Sequence, residues 1–213
     1  MMAVIVFVCM FLILLGVILL KTGKKDEVER VPVPLSNDEI VWKTYTSKEF
    51  SFTVEYPEHW NVFESEKDTG GPKINFYPTQ RGAELPMSHF SEETNFSIFP
   101  EGVATGGVVG ESKESHVVVD GSTDSRDFVL TNKDVWATSI NFSNPPSTWQ
   151  PWGFLWAHHK IDSLEYSCLK DGQVVSAEGC DPFAGDELLR SGMIDSDLDE
   201  IFDHMFETFQ FTR

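Results

Sequence analysis

The sequence predicts an α+β fold: a central antiparallel β-sheet with a C-terminal helix packed on it, preceded by one N-terminal transmembrane helix. Three observations predict it. Residues 1–20 carry no charged side chain, residues 50–56 alternate apolar and polar without error, and toward the C-terminus the apolar period lengthens from two to that of a helix. At 213 residues, with 41% hydrophobic and 13% aromatic, the chain is long enough for one domain with an appendage and a core that needs no cross-links.

The first element is the apolar run MMAVIVFVCMFLILLGVILL. Twenty helical residues reach roughly 30 Å, the thickness of a hydrocarbon core. No A-x-A cleavage pattern follows, and Cys9 lacks the small residues that precede a lipid-modified cysteine, so residues 1–20 are expected to be an uncleaved anchor with the lipid bilayer as its partner. Residues 21–37 read as a tether, in which Pro32 and Pro34 favour an extended spacer. Lys21, Lys24 and Lys25 favour a cytoplasmic location for that end. Cys168 and Cys180, the cysteines outside the apolar run, favour the opposite side, where an oxidising compartment permits a disulfide; two buried thiols are the alternative. The expected placement is a single-pass anchor with an extracytoplasmic domain.

The domain is expected over residues 38–213. In its clearest strand Phe50, Phe52, Val54 and Tyr56 share one sheet face, and Pro57 ends the ladder because it has no N–H. Trp60 is expected to fold back as a core plug. Further strands are predicted at residues 40–45, 73–77, 95–99, 116–119, 127–131 and 135–142, the last with Trp136, Thr138, Ile140 and Phe142 on one face. Residues 152–158 and 164–169 are expected to make another pair, with Asp171-Gly172 as a candidate two-residue hairpin turn that sets Cys168 opposite Val175. Short strands joined by turns imply antiparallel pairing. Leu198, Ile201, Phe202, Met205 and Phe209 form a helical stripe, with Asp195 or Ser196 as cap and Asp197, Asp199 and Glu200 at the positive end of the dipole. Phe209 and Phe211 then alternate as a short strand.

The run Tyr45-Thr-Ser-Lys-Glu-Phe50-Ser-Phe52-Thr-Val-Glu-Tyr56-Pro57-Glu-His-Trp60 resembles the opening motif of PsbP-like domains, relatives of the extrinsic oxygen-evolving-complex subunit of photosystem II. Ile201-Phe-Asp-His-Met-Phe-Glu-Thr-Phe209-Gln-Phe211 is similar to that group's terminal helix and aromatic strand, and Val119-Asp120-Gly121 to its central strand. The resemblance spans about residues 40–212. It implies an α/β sandwich around a central antiparallel sheet, outside the cytoplasm and membrane-attached in bacteria, with no shared catalytic residues. The chain departs from the pattern in its Trp-rich segment and in lacking a lipid-attachment cysteine.

Sixteen Lys+Arg against 34 Asp+Glu give a net charge of −18; beyond residue 25, 13 basic residues face the same 34 acids and leave −21. Such a surface repels phosphate and excludes nucleic acid as a partner. Motifs for chemistry are weak. His158-His159 is the most metal-like pair, yet adjacent strand residues point to opposite faces, one to the surface and one behind Trp156. Asp195-Ser-Asp197-Leu-Asp199-Glu200 fails as a calcium loop because its sixth and twelfth positions are Glu200 and Phe206. Gly106-Gly-Val-Val-Gly110 lacks the Lys-Ser/Thr of a phosphate loop, and no G-x-S-x-G occurs. No catalytic residue, metal or cofactor is therefore assigned. The unusual segment is Trp149-Gln-Pro-Trp152-Gly-Phe154-Leu-Trp156, which holds three of the six tryptophans. Trp149, Trp152, Phe154 and Trp156 are the candidate ligand or partner surface. The expected function is a membrane-anchored, extracytoplasmic, non-enzymatic module that binds or helps assemble another envelope component, an unknown protein or glycan. The alternatives are a sugar- or lipid-binding domain using the Trp segment, and a hydrolase with a dispersed active site.

Overall fold

Alternation and turn chemistry place the strands, and long-range pairing sorts them into sheets. The computed structural model describes residues 40–65, 73–78, 93–103 and 110–212. In chain order the elements are β1 (Trp42–Ser47), β2 (Phe52–Pro57), β3 (Trp60–Glu64), β4 (Ile74–Pro78), β5 (Asn95–Phe99), β6 (Ser112–Glu114), β7 (Ser122–Val129), β8 (Val135–Phe142), β9 (Phe154–His158), β10 (Asp162–Lys170), β11 (Gln173–Ser176), β12 (Glu187–Met193), α1 (Asp199–Thr208) and β13 (Gln210–Phe211). Three antiparallel sheets result: a seven-stranded one ordered β3-β4-β5-β9-β8-β7-β6, and two of three strands, β1-β2-β13 and β11-β10-β12.

This corrects the expected α+β fold with one central sheet and its PsbP-like sandwich. The described chain is mostly β, in three sheets, and its one α-helix has ten residues. Local alternation marks a strand but not its sheet. After Pro57 a two-residue turn starts β3, which pairs with β4 rather than returning along β2, so the chain changes sheet there. Among the described residues no helix is long and apolar enough to cross a membrane. The expected span over residues 1–20 and the tether over 21–37 lie outside the described residues.

The main core lies between one face of the seven-stranded sheet and a layer made by β1-β2-β13 and α1. Phe76, Phe96, Ile98, Ile140 and Leu155 meet Phe52 and Val54 from β2, and Ile201, Met205 and Phe206 from α1. The helix is amphipathic for that reason: Ile201, Phe202, Met205 and Phe206 are buried, with Phe206 packing on Phe96 at 4.9 Å between ring centroids. Asp195 caps the 3-10 turn Ser196–Leu198 that leads into it, accepting from the Asp197 N–H at 3.1 Å. The opposite face of the large sheet carries a second cluster of Phe99, Phe128, Leu130, Trp136 and Trp156, capped by the Arg190 guanidinium from β12, 4.9 Å from the Trp136 ring.

Trp136 was expected on the face of Thr138, Ile140 and Phe142. It instead joins the second cluster, because Phe128 pairs with Ala137 and Val129 with Val135, leaving Trp136 as the extra residue of a bulge. Residues 116–119, expected as a strand, are irregular, and the strand lies just before them as β6. Trp60, expected as a plug, is buried and opens β3. Asp171 and Gly172 form the two-residue turn between β10 and β11, both at positive φ (50° and 77°), with Cys168 opposite Val175.

The Trp segment divides. Trp149, expected at a partner surface, is 5% exposed; it lies edge-on to Phe142 and Phe211, and its indole N–H donates to the Phe50 carbonyl at 2.7 Å. That bond removes the desolvation cost which made burial of an indole from a Pro-rich loop look unfavourable. Trp149→Ala therefore removes about 3–5 kcal/mol of unfolding free energy in a urea titration followed by circular dichroism. A loss below about 1 kcal/mol, the scale of an ordinary surface change, contradicts this packing.

Candidate functional site: a histidine–aspartate pocket

The site begins at Asp127 on β7, whose carboxylate is 0% exposed. It stays charged through its donors. The Ser115 hydroxyl donates to Oδ1 at 2.8 Å and the Thr138 hydroxyl at 2.9 Å, while Oδ2 receives the His116 backbone N–H at 3.2 Å and the His116 Nδ1 side at 2.8 Å. Burial opposes the charge, but the bonds from His116, Ser115 and Thr138 outweigh it and hold the carboxyl below its ordinary range.

His116 follows β6 in the irregular stretch facing α1. With Nδ1–H directed at Asp127, its Nε2 reaches Asp203 Oδ1 on the helix at 3.0 Å. Desolvation lowers its pKa, but the two carboxylates raise it by more, so the imidazolium persists to higher pH than usual. His159, just beyond β9, differs. Its Nε2 lies 2.8 Å from Asp199 Oδ1 at the start of α1, and its ring packs on Phe202 at 4.9 Å. Burial dominates here, pushing the imidazole down against the pull of Asp199 and Asp195 and pushing the Asp199 carboxyl up. The two imidazoles are thus displaced in opposite directions.

They line one pocket of about 340 Å³ between α1, β8 and the end of β9. Val135 and Ala137 from β8, Ala157 from β9, and Phe202 and Phe206 from α1 make an apolar floor. Asp134, Asp199 and Asp203, with Lys113, His116 and His159, supply the charged and titratable lining, and Thr138 and Ser196 add hydroxyls.

The chemistry available is restricted. The Ser115 and Thr138 hydroxyls donate to Asp127, and the ion-pair contacts of His116, His159 and His204 go to carboxylates. Among the described residues, the ligand-type atoms that gather within 4.8 Å are those of Cys168, Cys180 and Asp186. The two sulfurs are joined in a disulfide, Cα atoms 5.7 Å apart, and a disulfide does not present the thiolates a metal needs.

Of the residues expected at a surface, Trp152 is exposed, Phe154 is half-buried and Trp156 is buried in the second cluster. His158 and His159 do point to opposite faces, toward Trp156 and Phe202, but both are buried, so neither is the surface imidazole expected. His116, Asp127, Asp199 and Asp203 were not assembled from the sequence, and no local signal offered them: His116 and Asp203 are 87 positions apart. Comparison with protein-family models, curated proteins and solved structures gave no match, and so adds nothing to the resemblance to PsbP-like domains.

The two imidazoles act on stability with opposite sign. The folded pKa of His116 lies above its ordinary 6.5, so its contribution is complete below 6.5 and lost as pH rises through the folded value. His159, with a folded pKa below 6.5, costs stability as pH falls from that value. The difference in unfolding free energy between wild type and His116→Gln should be largest near about pH 5 and narrow toward about pH 9. A pH-independent difference contradicts the paired imidazolium.

Proposed function

We propose that this chain is a membrane-anchored, extracytoplasmic binding module rather than an enzyme. Its pocket receives a cationic group on an apolar stem, such as a lysine-type side chain of an envelope protein. One observation carries this reading. Three carboxylates, against one ammonium and one imidazolium, surround a floor of aliphatic and aromatic carbon. An ammonium is favoured among those oxygens while its methylenes cover the floor, the arrangement long basic side chains adopt on apolar surfaces. The bonds already made by His116 and His159 support binding over turnover, since they fix the walls without readying a nucleophile.

The placement draws support from the uncharged run at residues 1–20, long enough to span a bilayer, and from the Cys168–Cys180 disulfide, a bond of oxidising compartments. In intact cells both cysteines should resist a thiol reagent until reductant is added; labelling by a membrane-permeant reagent without reductant reverses the topology.

A second reading, hydrolysis, has one specific observation in its favour. An imidazole pair displaced in opposite directions is how general acid and base are set apart in one site. Turnover of a nitrophenyl ester or glycoside panel that disappears in His159→Gln would replace the binding reading.

The binding test uses butylammonium and butanoate as probes, followed by the methyl resonances of Ala137 and Ala157. Butylammonium should shift both methyls and butanoate neither, with affinity falling roughly tenfold in Asp134→Asn, a change outside the His116 and His159 pairs. Equal response to both probes, or to neither, overturns the proposal.

A further inference from the structure

We propose that Trp152 is a stacking platform for the ring face of an uncharged pyranoside, a carbohydrate site on a turn that contributes nothing to the pocket and does not depend on what the pocket binds. Trp152 is 61% exposed. Scattered exposed apolar residues are ordinary and usually mobile. This one is fixed. Its indole N–H donates to the Glu101 carbonyl at 2.7 Å. Beneath it lies Gly102, at φ +69°, where an added Cβ would fall 2.1 Å from Trp152 Cδ1, so the indole edge rests directly on backbone.

The turn behind it is equally constrained. The Gln150 N–H donates to the Pro100 carbonyl at 2.8 Å and the Gly153 N–H to the Gln150 carbonyl at 2.9 Å. Gly153 leaves no room for a side chain, since a Cβ there would meet the Pro100 carbonyl and the Trp149 ring, each at 2.7 Å. A large aromatic face is thus held open to solvent with little rotamer freedom left to lose, the condition under which stacking a ligand loses least to ordering.

The chemistry of the occupant follows from what the indole still offers. Its N–H is engaged by Glu101, so only the electron-rich face is available, and that face suits the slightly positive C–H bonds on one side of a pyranose ring. Glu101, whose side chain is 45% exposed and pairs with Lys73 at 2.9 Å, offers a carboxylate acceptor for sugar hydroxyls on the residue that anchors the indole. A bilayer is the less suitable occupant. Interfacial tryptophans direct their N–H to the wet boundary, and anionic headgroups are repelled by a chain carrying −21 beyond residue 25.

The test uses the full-length chain in a detergent without a sugar headgroup, titrated with cellohexaose and chitohexaose by calorimetry, and separately with phosphatidylcholine vesicles. At least one hexaose should bind. Trp152→Ala should weaken it about tenfold or more with the melting temperature unchanged, while Trp152→Tyr, which keeps an aromatic face, should stay within about threefold of wild type. Binding unaltered by Trp152→Ala, absence of binding to both hexaoses, or Trp152-dependent binding to vesicles instead overturns the proposal.

Discussion

The architecture depends on one buried charge. On the order of tens of kcal/mol separates an isolated carboxylate in water from one in an apolar interior. Asp127, without solvent exposure, remains ionised because two hydroxyls, a backbone N–H and an imidazole all point at it. Those donors come from two places: Ser115 and His116 just after β6, and Thr138 on β8. Satisfying Asp127 therefore fixes the segment after β6, and with it the direction in which His116 extends toward α1. The helix meets the sheet through apolar contacts that are not directional, whereas the Asp127–His116–Asp203 chain sets a lateral position.

That arrangement accounts for the unequal behaviour of the two imidazoles. His116 is half open to solvent and lies between two carboxylates, so attraction outweighs desolvation. His159 is enclosed beneath α1 with a single carboxylate at bonding distance, and desolvation prevails. The pocket between them combines a charged side and a resistant neutral side over one apolar floor. The proposed binding role rests on that combination, because a cation on an apolar stem would meet carboxylates and carbon together.

How much of this was legible in the sequence depended on the range of the interaction involved. The Phe52–Val54 alternation, the Asp171-Gly172 turn and the Ile201–Met205 stripe are set by neighbours a few residues away, and each appears in the burial or geometry of its element. Sheet membership is not local, so alternation alone predicts one sheet where the chain forms three. Trp136 moved to the other face through a bulge that depends on its partner strand. Trp149 looked exposable because the carbonyl that satisfies it, on Phe50, is 99 positions away. The pocket was invisible for the same reason: residues 116, 159, 199 and 203, with Asp127 behind His116, share no spacing, and only the antiparallel register of β7 with β8 and of β8 with β9, together with the return of α1, brings them together. His159 drew notice beside His158, yet its partner is an aspartate that read only as a helix-terminal charge.

The central claim is that one buried aspartate and the helix it positions hold two unlike imidazoles in a single pocket. A titration of His116 and His159 ring resonances by NMR in the same sample tests it most directly. The account predicts that His116 titrates above the ordinary imidazole value and His159 below it, and that Asp127→Asn returns His116 toward that value. Two imidazoles titrating together near 6.5, unaffected by Asp127→Asn, would contradict it.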